Sequence, residues 1–330
     1  MKKTVLLLLL VFAIVGCEPI DYDEYTGRHS PQTTTVELTL PPETTVETEV
    51  LEPEIVFEEI EEPEAAINAE PNYSEPLYID SDYGIVYNLS QKQLLYGKRI
   101  DEPVTPASIT KLLTALVALE NLPKDFEFVI GPEIAMIVAD SSKAGLIPGQ
   151  VLDFEGMLCA LILPSGNDAA YAIAVNVARE LVGDGFSDEE MLAVFTDLMN
   201  EYMEDLGANN SSFINPDGYH ANGQYSTMRD LLRLCAAAVK NPTLREICAT
   251  TSITVDFISG ENATFTNRNP FLNSENWDIR GLKTGFTDES RFCLAGYAIV
   301  DGSEYLTVLS GSATESMRSN DLELLLSVDN

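Results

Sequence analysis

The sequence predicts an α/β (α+β) fold in which an antiparallel sheet is flanked by terminal helices and carries an all-helical subdomain. Strand-like patterns of apolar residues lie at both ends of the body, near residue 80 and after residue 278. Helical periodicity fills the region between them. The first of these helices is apolar around most of its circumference, as is typical of a helix buried in a core. The predicted sheet is therefore assembled from segments that lie far apart in the chain.

The body begins with two predicted strands over residues 78–88 and 93–100, where apolar residues alternate or run together. The buried helix follows over 106–122. Pro106 suits its first turn and Pro123 ends it, because proline lacks the N–H group that a helix interior requires.

The rest of the body is predicted as further helices followed by strands and a closing helix. Ser187 and Glu190 have the spacing of a capping box, and Gly207 ends the same helix. Asp301 and Gly302 form a turn typical of two-residue hairpins. The predicted helices are 154–163, 169–181, 187–206, 227–239 and 315–326, and the predicted strands are 279–284, 291–300 and 304–311.

The distribution of charge divides the chain into a head, a tether and a body. The 330 residues hold 19 Lys and Arg against 53 Asp and Glu, a net charge of -34 that would repel nucleic acid. We therefore expect no nucleic-acid partner. Residues 18–76 are rich in Pro, Thr and Glu and carry 17 acids against one base. This composition predicts a disordered acidic tether, with the catalytic body over 77–330.

The head, residues 1–17, has the pattern of an export signal. Lys2 and Lys3 precede an apolar run that is too short to span a bilayer comfortably. The run ends in Val15-Gly16-Cys17 and resembles the lipobox of bacterial lipoproteins, in which Cys17 becomes the lipidated first residue. The alternative is an ordinary secretory signal with an incidental cysteine. Both interpretations predict an extracytoplasmic protein. The lipoprotein interpretation also predicts that the protein is anchored to the bacterial cell membrane and faces the cell wall.

The first motif that could carry chemistry is Ser108-x-x-Lys111, at the start of the buried helix. Residues three apart share a helix face, so the Lys111 amine should lie beside the Ser108 hydroxyl. Lysine can take a proton from serine only where burial or a nearby cation favours its neutral form. The leucine-rich helix supplies that burial. A helix-capping serine with a surface lysine is the structural alternative.

Two more motifs follow in the chain. Ser165 and Asn167 lie at a break between two predicted helices, where a hydroxyl and a carboxamide could enter a cleft. Lys283, Thr284 and Gly285 lie at the end of a probable strand, where they offer a cation, a hydroxyl and backbone access to an extended peptide with a carboxylate.

Ser-x-x-Lys, Ser-x-Asn and Lys-Thr-Gly in this order are shared by penicillin-binding proteins and serine β-lactamases. Around them the sequence resembles the low-molecular-weight penicillin-binding proteins that are serine-type D-alanyl-D-alanine carboxypeptidases. The resemblance covers about residues 77–328 and implies the β-lactamase/transpeptidase-like fold. It is carried by the segments 106–116, 165–171, 215–218, 225–230, 267–270 and 281–287.

The resemblance implies an acyl-enzyme mechanism on peptidoglycan stem peptides, with β-lactam antibiotics as covalent inhibitors. Ser108 would attack the carbonyl between the two terminal D-alanines and Lys111 would take its proton. Ser165 would relay that proton to the leaving amine, and Asn167 would hold the peptide. Lys283 would help to keep Lys111 neutral.

Further roles are implied for the segment around the third motif. The N–H groups of Ser108 and Phe286 would form the oxyanion hole beside Gly285. Thr284, Thr287 and Arg318 would receive the substrate carboxylate. We expect no cofactor and no metal, because the cysteines of the body lie in apolar contexts without a Cys-x-x-Cys pattern.

Three alternatives stay open from sequence. A class A β-lactamase needs a Glu-x-x-Leu-Asn loop, which does not occur here. A non-catalytic cell-wall binding lipoprotein would have lost some motif residue, and none is lost. A secreted esterase on the same scaffold is the third alternative. Two features of the sequence depart from many members of this family. Arg280 stands where an acidic residue is frequent, so we expect an altered cleft rim. No β-rich domain follows the body, so we expect the N-terminal lipid to replace a C-terminal anchor.

Overall fold

The computed structural model describes residues 67–72 and 77–328. The predicted signal peptide 1–17 and most of the predicted tether 18–76 lie outside the described residues. Within them the strands are β1 (Tyr83–Asn88), β2 (Gln93–Lys98), β3 (Phe128–Val129), β4 (Val151–Leu152), β5 (Ser252–Asp256), β6 (Asn262–Thr266), β7 (Asp278–Thr287), β8 (Arg291–Val300) and β9 (Ser303–Ser312). The helices are α1 (Thr110–Asn121), α2 (Phe154–Ile162), α3 (Asn167–Val182), α4 (Asp188–Asp205), α5 (Met228–Lys240), α6 (Pro242–Ala249) and α7 (Glu315–Leu326).

The main sheet joins strands from the two ends of the described region. Its order is β2-β1-β9-β8-β7, and every neighbouring pair is antiparallel. β1 pairs with β9 in a continuous register from Tyr83 opposite Ser310 to Asn88 opposite Tyr305. The predicted assembly of the sheet from distant segments is therefore confirmed.

Both faces of this sheet are covered, as the alternation of side chains requires. Ile85 and Tyr87 on β1 join the larger core, whereas Val86 between them joins a smaller core on the opposite face. Helix α5 packs against β1, β8 and β9, and α7 packs against the same three strands. Leu322 and Leu325 of α7 belong to the smaller core, so the closing helix covers the second face.

The helical subdomain surrounds α1. Every residue of α1 from Thr110 to Ala118 is buried, and the helix packs against α2, α3, α4 and α5. This confirms the prediction of a helix buried on all sides. The capping box at Ser187 and Glu190 is also present at the start of α4.

Some small elements were not predicted. Helix α6 starts directly after α5, with Asn241 as its N-cap and Pro242 in its first turn. The hairpins β3–β4 and β5–β6 are also additional. Strands of two residues and a helix of eight are too short for periodicity to show. β7 runs to Thr287, three residues beyond the predicted strand, so Lys283 lies within a strand and not at its end.

The packed region begins earlier than the predicted boundary at 77. Ile67 is only 2% exposed and belongs to the larger core. The N–H of Asn72 donates to the carbonyl of Leu94 at 2.9 Å, and the guanidinium of Arg229 donates to the carbonyls of Ile67 and Ala69. Residues 67–72 are therefore fastened to the body and do not belong to the tether.

Among the described residues, no helix is both long and apolar enough to cross a bilayer. The four cysteines of the body are buried and not joined in disulfides; they are Cys159, Cys235, Cys248 and Cys293.

Candidate active site

Ser108 and Lys111 lie at the start of α1, as their spacing predicts. Ser108 is the middle residue of a 3-10 turn, Ala107–Ile109, that leads into the helix. The amine of Lys111 donates to the Ser108 hydroxyl oxygen at 3.0 Å. Ala107 has a φ of 50°, a backbone conformation that non-glycine residues rarely adopt. This turn points the serine out of the helix while the lysine stays beneath it.

The environment of Lys111 favours its neutral form. Its side chain is fully buried, and its amine also donates to the main-chain carbonyl of Asp217 at 2.7 Å. Burial lowers the pKa of Lys111 to about 8; the charge of Arg268 acts in the same direction, and Asp217 and Asp168 oppose it. A group with such a pKa is partly unprotonated near neutral pH and can accept a proton.

The second motif lies in the tight connection between α2 and α3. Ser165 has a φ of 61° and is 5% exposed, and Asn167 begins α3 at 4% exposed. Ser142 fastens this connection to a neighbouring loop: its hydroxyl donates to the Ser165 carbonyl at 2.7 Å, and its own carbonyl accepts from the Asn167 N–H at 2.9 Å. The carboxamide oxygen of Asn167 has no donor within the described region.

Asp168 holds the same loop from the other side. Its carboxylate accepts the main-chain N–H groups of Ala144, Gly145 and Leu146 at 2.8 Å, 2.8 Å and 3.0 Å. It is not the N-cap of α3, because Gly166 has that position. The structure therefore assigns Asp168 to loop anchoring rather than helix capping.

Lys283 lies in the third motif, on β7 at the edge of the sheet. It is 2% exposed, and its amine donates to the carbonyl of Thr284 at 3.0 Å. Burial lowers the pKa of Lys283 well below its usual value, and repulsion from the Lys111 amine lowers it further. The charge of Lys111 thus disfavours a proton on Lys283.

Gly285 lets β7 approach the nucleophile turn. A β-carbon at this position would lie 3.0 Å from the Ala107 β-carbon and 3.2 Å from the Ser108 nitrogen. A side chain here would therefore push the strand away from Ser108, which explains the glycine of the Lys-Thr-Gly motif.

A cleft of about 580 Å³ lies between β7 and the helical subdomain. Lys111 and Lys283 lie beneath its floor, and the other predicted site residues of the body line it. They are Ser108, Ser165, Asn167, Thr284, Gly285, Phe286, Thr287 and Arg318. Cys17 lies outside the described residues.

The end of the cleft beside α7 carries a buried cation. Arg318 is 3% exposed, donates to the Cys293 carbonyl at 3.2 Å, and its guanidinium lies over the rings of Phe271 and Phe292. Its Nε has no acceptor among the described residues. Thr287 also lines this region, but its hydroxyl is engaged with the main-chain N–H and hydroxyl of Ser290. Arg318 is thus better placed than Thr287 to bind an anion.

Several cleft residues were not assigned a role from sequence. Arg268, Ser142, Tyr219 and His220 all line it. Arg268 occurs in a segment that carried the resemblance, but nothing local in that segment indicates that its charge lies near Lys111. Arg280 pairs with Asp278 at 2.6 Å, and its effect on the cleft rim stays a prediction.

Comparisons with known proteins agree with this geometry. The family profile described as D-alanyl-D-alanine carboxypeptidase matches residues 69–314. The chain is 31% identical over 247 residues to a D-alanyl-D-alanine carboxypeptidase of Streptomyces sp. strain K15, covering 72% of this chain and 83% of that protein. It is 32% identical over 221 residues to a D-alanyl-D-alanine endopeptidase of Pseudomonas aeruginosa, covering 65% and 66%. The crystal structure of the Streptomyces K15 DD-transpeptidase superposes with a TM-score of 0.71 at 30% identity, covering 77% of this chain and 98% of that chain.

Proposed function

This chain belongs to the D-alanyl-D-alanine carboxypeptidase family of serine hydrolases, and we propose that it removes the terminal D-alanine of peptidoglycan stem peptides through an acyl-enzyme on Ser108. The observation that carries this proposal is the 3.0 Å contact between the Ser108 hydroxyl and a buried Lys111 amine whose pKa is about 8. Family membership implies a peptidoglycan substrate, β-lactam binding and a place outside the cytoplasm.

In the acylation step Lys111 takes the proton of Ser108 as the serine oxygen attacks the carbonyl carbon of the D-Ala-D-Ala bond. Burial disfavours the ammonium form of Lys111, so about a tenth of the amines are neutral at pH 7 when the pKa is about 8. The proton passes through Ser165 to the leaving D-alanine, and Asn167 holds the peptide. The charge of Arg268 adds to burial in favouring the neutral form of Lys111.

The developing oxyanion is bound by the N–H groups of Ser108 and Phe286. The close approach of β7 to the nucleophile turn at Gly285 supports this pairing of donors. Each such donor contributes about 3 kcal/mol to the transition state in other acyl transferases.

Recognition of the free carboxylate separates a carboxypeptidase from an endopeptidase or esterase. Arg318 supplies a buried guanidinium with an unpartnered Nε within the described region, and Thr284 supplies a hydroxyl. Charge-assisted hydrogen bonds of this kind contribute about 1.5 to 3 kcal/mol each.

A comparison of two substrates tests this assignment. We expect a stem-peptide mimic ending in D-Ala-D-Ala to be cleaved at least about tenfold faster in kcat/KM than its C-terminal amide. Arg318→Gln and Thr284→Val should narrow this difference by slowing cleavage of the acid alone, as measured by release of D-alanine or its amide. Equal rates on acid and amide in the unmodified protein would contradict the carboxypeptidase assignment and favour an endopeptidase or esterase.

We further propose that the protein is a lipoprotein anchored through Cys17. The support is sequence alone: a short apolar signal that ends in Val15-Gly16-Cys17, followed by an acidic, proline-rich tether. As a flexible chain, such a tether would span roughly 40 Å. That distance would hold the active site away from the membrane surface and towards the wall.

A further inference from the structure

Arg318 is a buried cation at the end of the cleft, and no acidic side chain is paired with it. It is 3% exposed and lines the cleft, but none of the ion pairs within residues 67–72 and 77–328 includes it. Even Glu315, one turn earlier on α7, is not paired with it. Its Nη1 donates to the carbonyl of Cys293 at 3.2 Å. A buried charge is unfavourable unless other groups stabilise it, so the guanidinium depends on the uncharged groups packed around it.

Two aromatic rings lie against this guanidinium. Its central carbon is 5.3 Å from the ring centre of Phe271 and 5.7 Å from that of Phe292. Both distances are within the range of about 6 Å over which the face of an aromatic ring attracts a cation. Phe271 lies in the 3-10 turn Pro270–Asn273, and Phe292 lies on β8. Two separate segments therefore converge on one side chain of α7.

Each ring is held by contacts of its own. The carboxamide oxygen of Asn269, a residue that is 2% exposed, accepts the N–H of Phe271 at 3.1 Å, and Phe271 packs against the smaller core. Phe292 is directly opposite Phe286 in the pairing of β7 and β8, and their ring centres are 4.7 Å apart. The two rings are therefore in defined positions beside the Arg318 guanidinium.

Aromatic partners leave the charge of Arg318 available to a ligand. A carboxylate in their place would neutralise the guanidinium and occupy its N–H donors. An aromatic face attracts the cation without accepting a strong hydrogen bond, so it does not compete with an incoming anion. Rings are thus suitable partners for an arginine that binds and releases a carboxylate in each catalytic cycle.

We propose that Phe271 and Phe292 are positioning residues that hold Arg318 for recognition of the substrate carboxylate. They would thereby contribute to the preference for a free C-terminal acid. The proposal rests on the proposed function, because it requires that Arg318 receives this carboxylate. Phe292 lines the cleft itself, whereas Phe271 is not one of the residues that line it. Phe271 therefore acts on the substrate through Arg318, and it is the more informative position to change.

The test measures kcat/KM on a stem-peptide mimic ending in D-Ala-D-Ala and on its C-terminal amide. In Phe271→Leu we expect kcat/KM on the acid to fall about fivefold, mainly through a higher KM, while cleavage of the amide is unchanged. Leucine keeps an apolar side chain against the smaller core but has no ring. Phe271→Tyr keeps the ring and should retain the preference for the acid. Phe292→Leu is a second variant and should reduce the same preference.

A double-mutant cycle shows whether the Phe271 ring acts through Arg318. In Arg318→Gln the ring has no guanidinium to hold, so adding Phe271→Leu should not lower the rate on the acid further. Phe126→Leu is the matched control. Phe126 is also half-buried and its ring centre lies 5.0 Å from that of Phe128, but it is not one of the residues that line the cleft. This control should leave the ratio of the acid and amide rates unchanged.

The other outcomes are distinguishable from one another. An unchanged ratio in Phe271→Leu would overturn the proposal, and so would an equal loss on acid and amide, which is the result of a merely structural role. A loss of the same size in the Arg318→Gln background would show that the ring acts independently of Arg318 and would also overturn it. Equal rates on acid and amide in the unmodified protein would contradict the carboxypeptidase assignment itself, before any variant is compared.

Discussion

At the residue scale, the chemistry depends on two buried amines. Lys111 and Lys283 are both almost fully buried, and burial is the main cause that lowers the pKa of each. The Lys111 amine contacts the Ser108 hydroxyl, and its charge lowers the pKa of Lys283 further. The low pKa of Lys111 therefore follows mainly from its burial.

The pH dependence of acylation tests this account of Lys111. Its pKa is lowered to about 8, so the neutral, basic form is lost as the pH falls below that value. We expect the rate of acylation by a penicillin to be constant above about pH 8 and to fall about tenfold per pH unit below it. Stopped-flow measurement of adduct formation between pH 5.5 and 9.5 checks this.

Two variants serve as controls for the pH dependence of adduct formation. Ser108→Ala should form no adduct at any pH, and Lys111→Ala should be slow throughout without the same inflection. A rate in the unmodified protein that is flat between pH 6 and 8, or that falls as pH rises, would exclude Lys111 as the base.

At the scale of elements, the site depends on loops that anchor one another. The loop 140–146 carries Ser142 against the Ser165 connection, and Asp168 at the start of α3 binds three consecutive N–H groups of that loop. These contacts join α3 to the wall of the cleft. Asp168 thus has a structural role beside Ser165 and Asn167, the two residues of the second motif that were predicted to carry chemistry.

Asp168→Ala should destabilise both the fold and the site. Asp168 is 2% exposed, and its loss leaves four main-chain N–H groups without their acceptor. We expect the free energy of unfolding to fall by about 3 kcal/mol and kcat/KM to fall at least about tenfold. Urea denaturation and D-alanine release measure the two effects.

Glu180→Ala, on the exposed side of the same helix, is the matched control and should change the free energy of unfolding by less than about 0.5 kcal/mol. If Asp168→Ala changed the free energy of unfolding as little as this control, the loop 140–146 would be held by other contacts.

At the scale of the whole molecule, the sheet brings together residues that are remote in the chain. β1 and β9 are neighbours in the sheet, and α7 delivers Arg318 to the cleft that α1 and β7 form. The N-terminal segment 67–72 is fastened by Arg229 to the body.

Cys17→Ala tests the membrane attachment. We expect the variant to lose labelling by a fatty-acid probe and to move from the membrane fraction to the soluble fraction of the cell envelope, because a lipidated cysteine supplies the anchor. Cys159→Ala, at a buried thiol of the body, should keep both properties. Labelling that persists in Cys17→Ala would contradict the lipoprotein proposal.

The sequence by itself determined those features whose signal is local. Apolar runs and helical patterns predicted β1, β8, β9, α1 and α7, because each is long enough to be recognised from its own residues. Ser108 and Lys111 could be paired from their spacing alone, since a helix places residues three apart on one face. The fold class and the family followed from these elements and the three motifs, and both are confirmed.

Only the tertiary structure decided which other groups reach the cleft. The Lys111 amine meets the Asp217 carbonyl across 106 residues of sequence, and Arg268 approaches the same amine from a separate segment. Such contacts leave no periodic trace, because they depend on how the loops close over the sheet and not on the repeat of any single element.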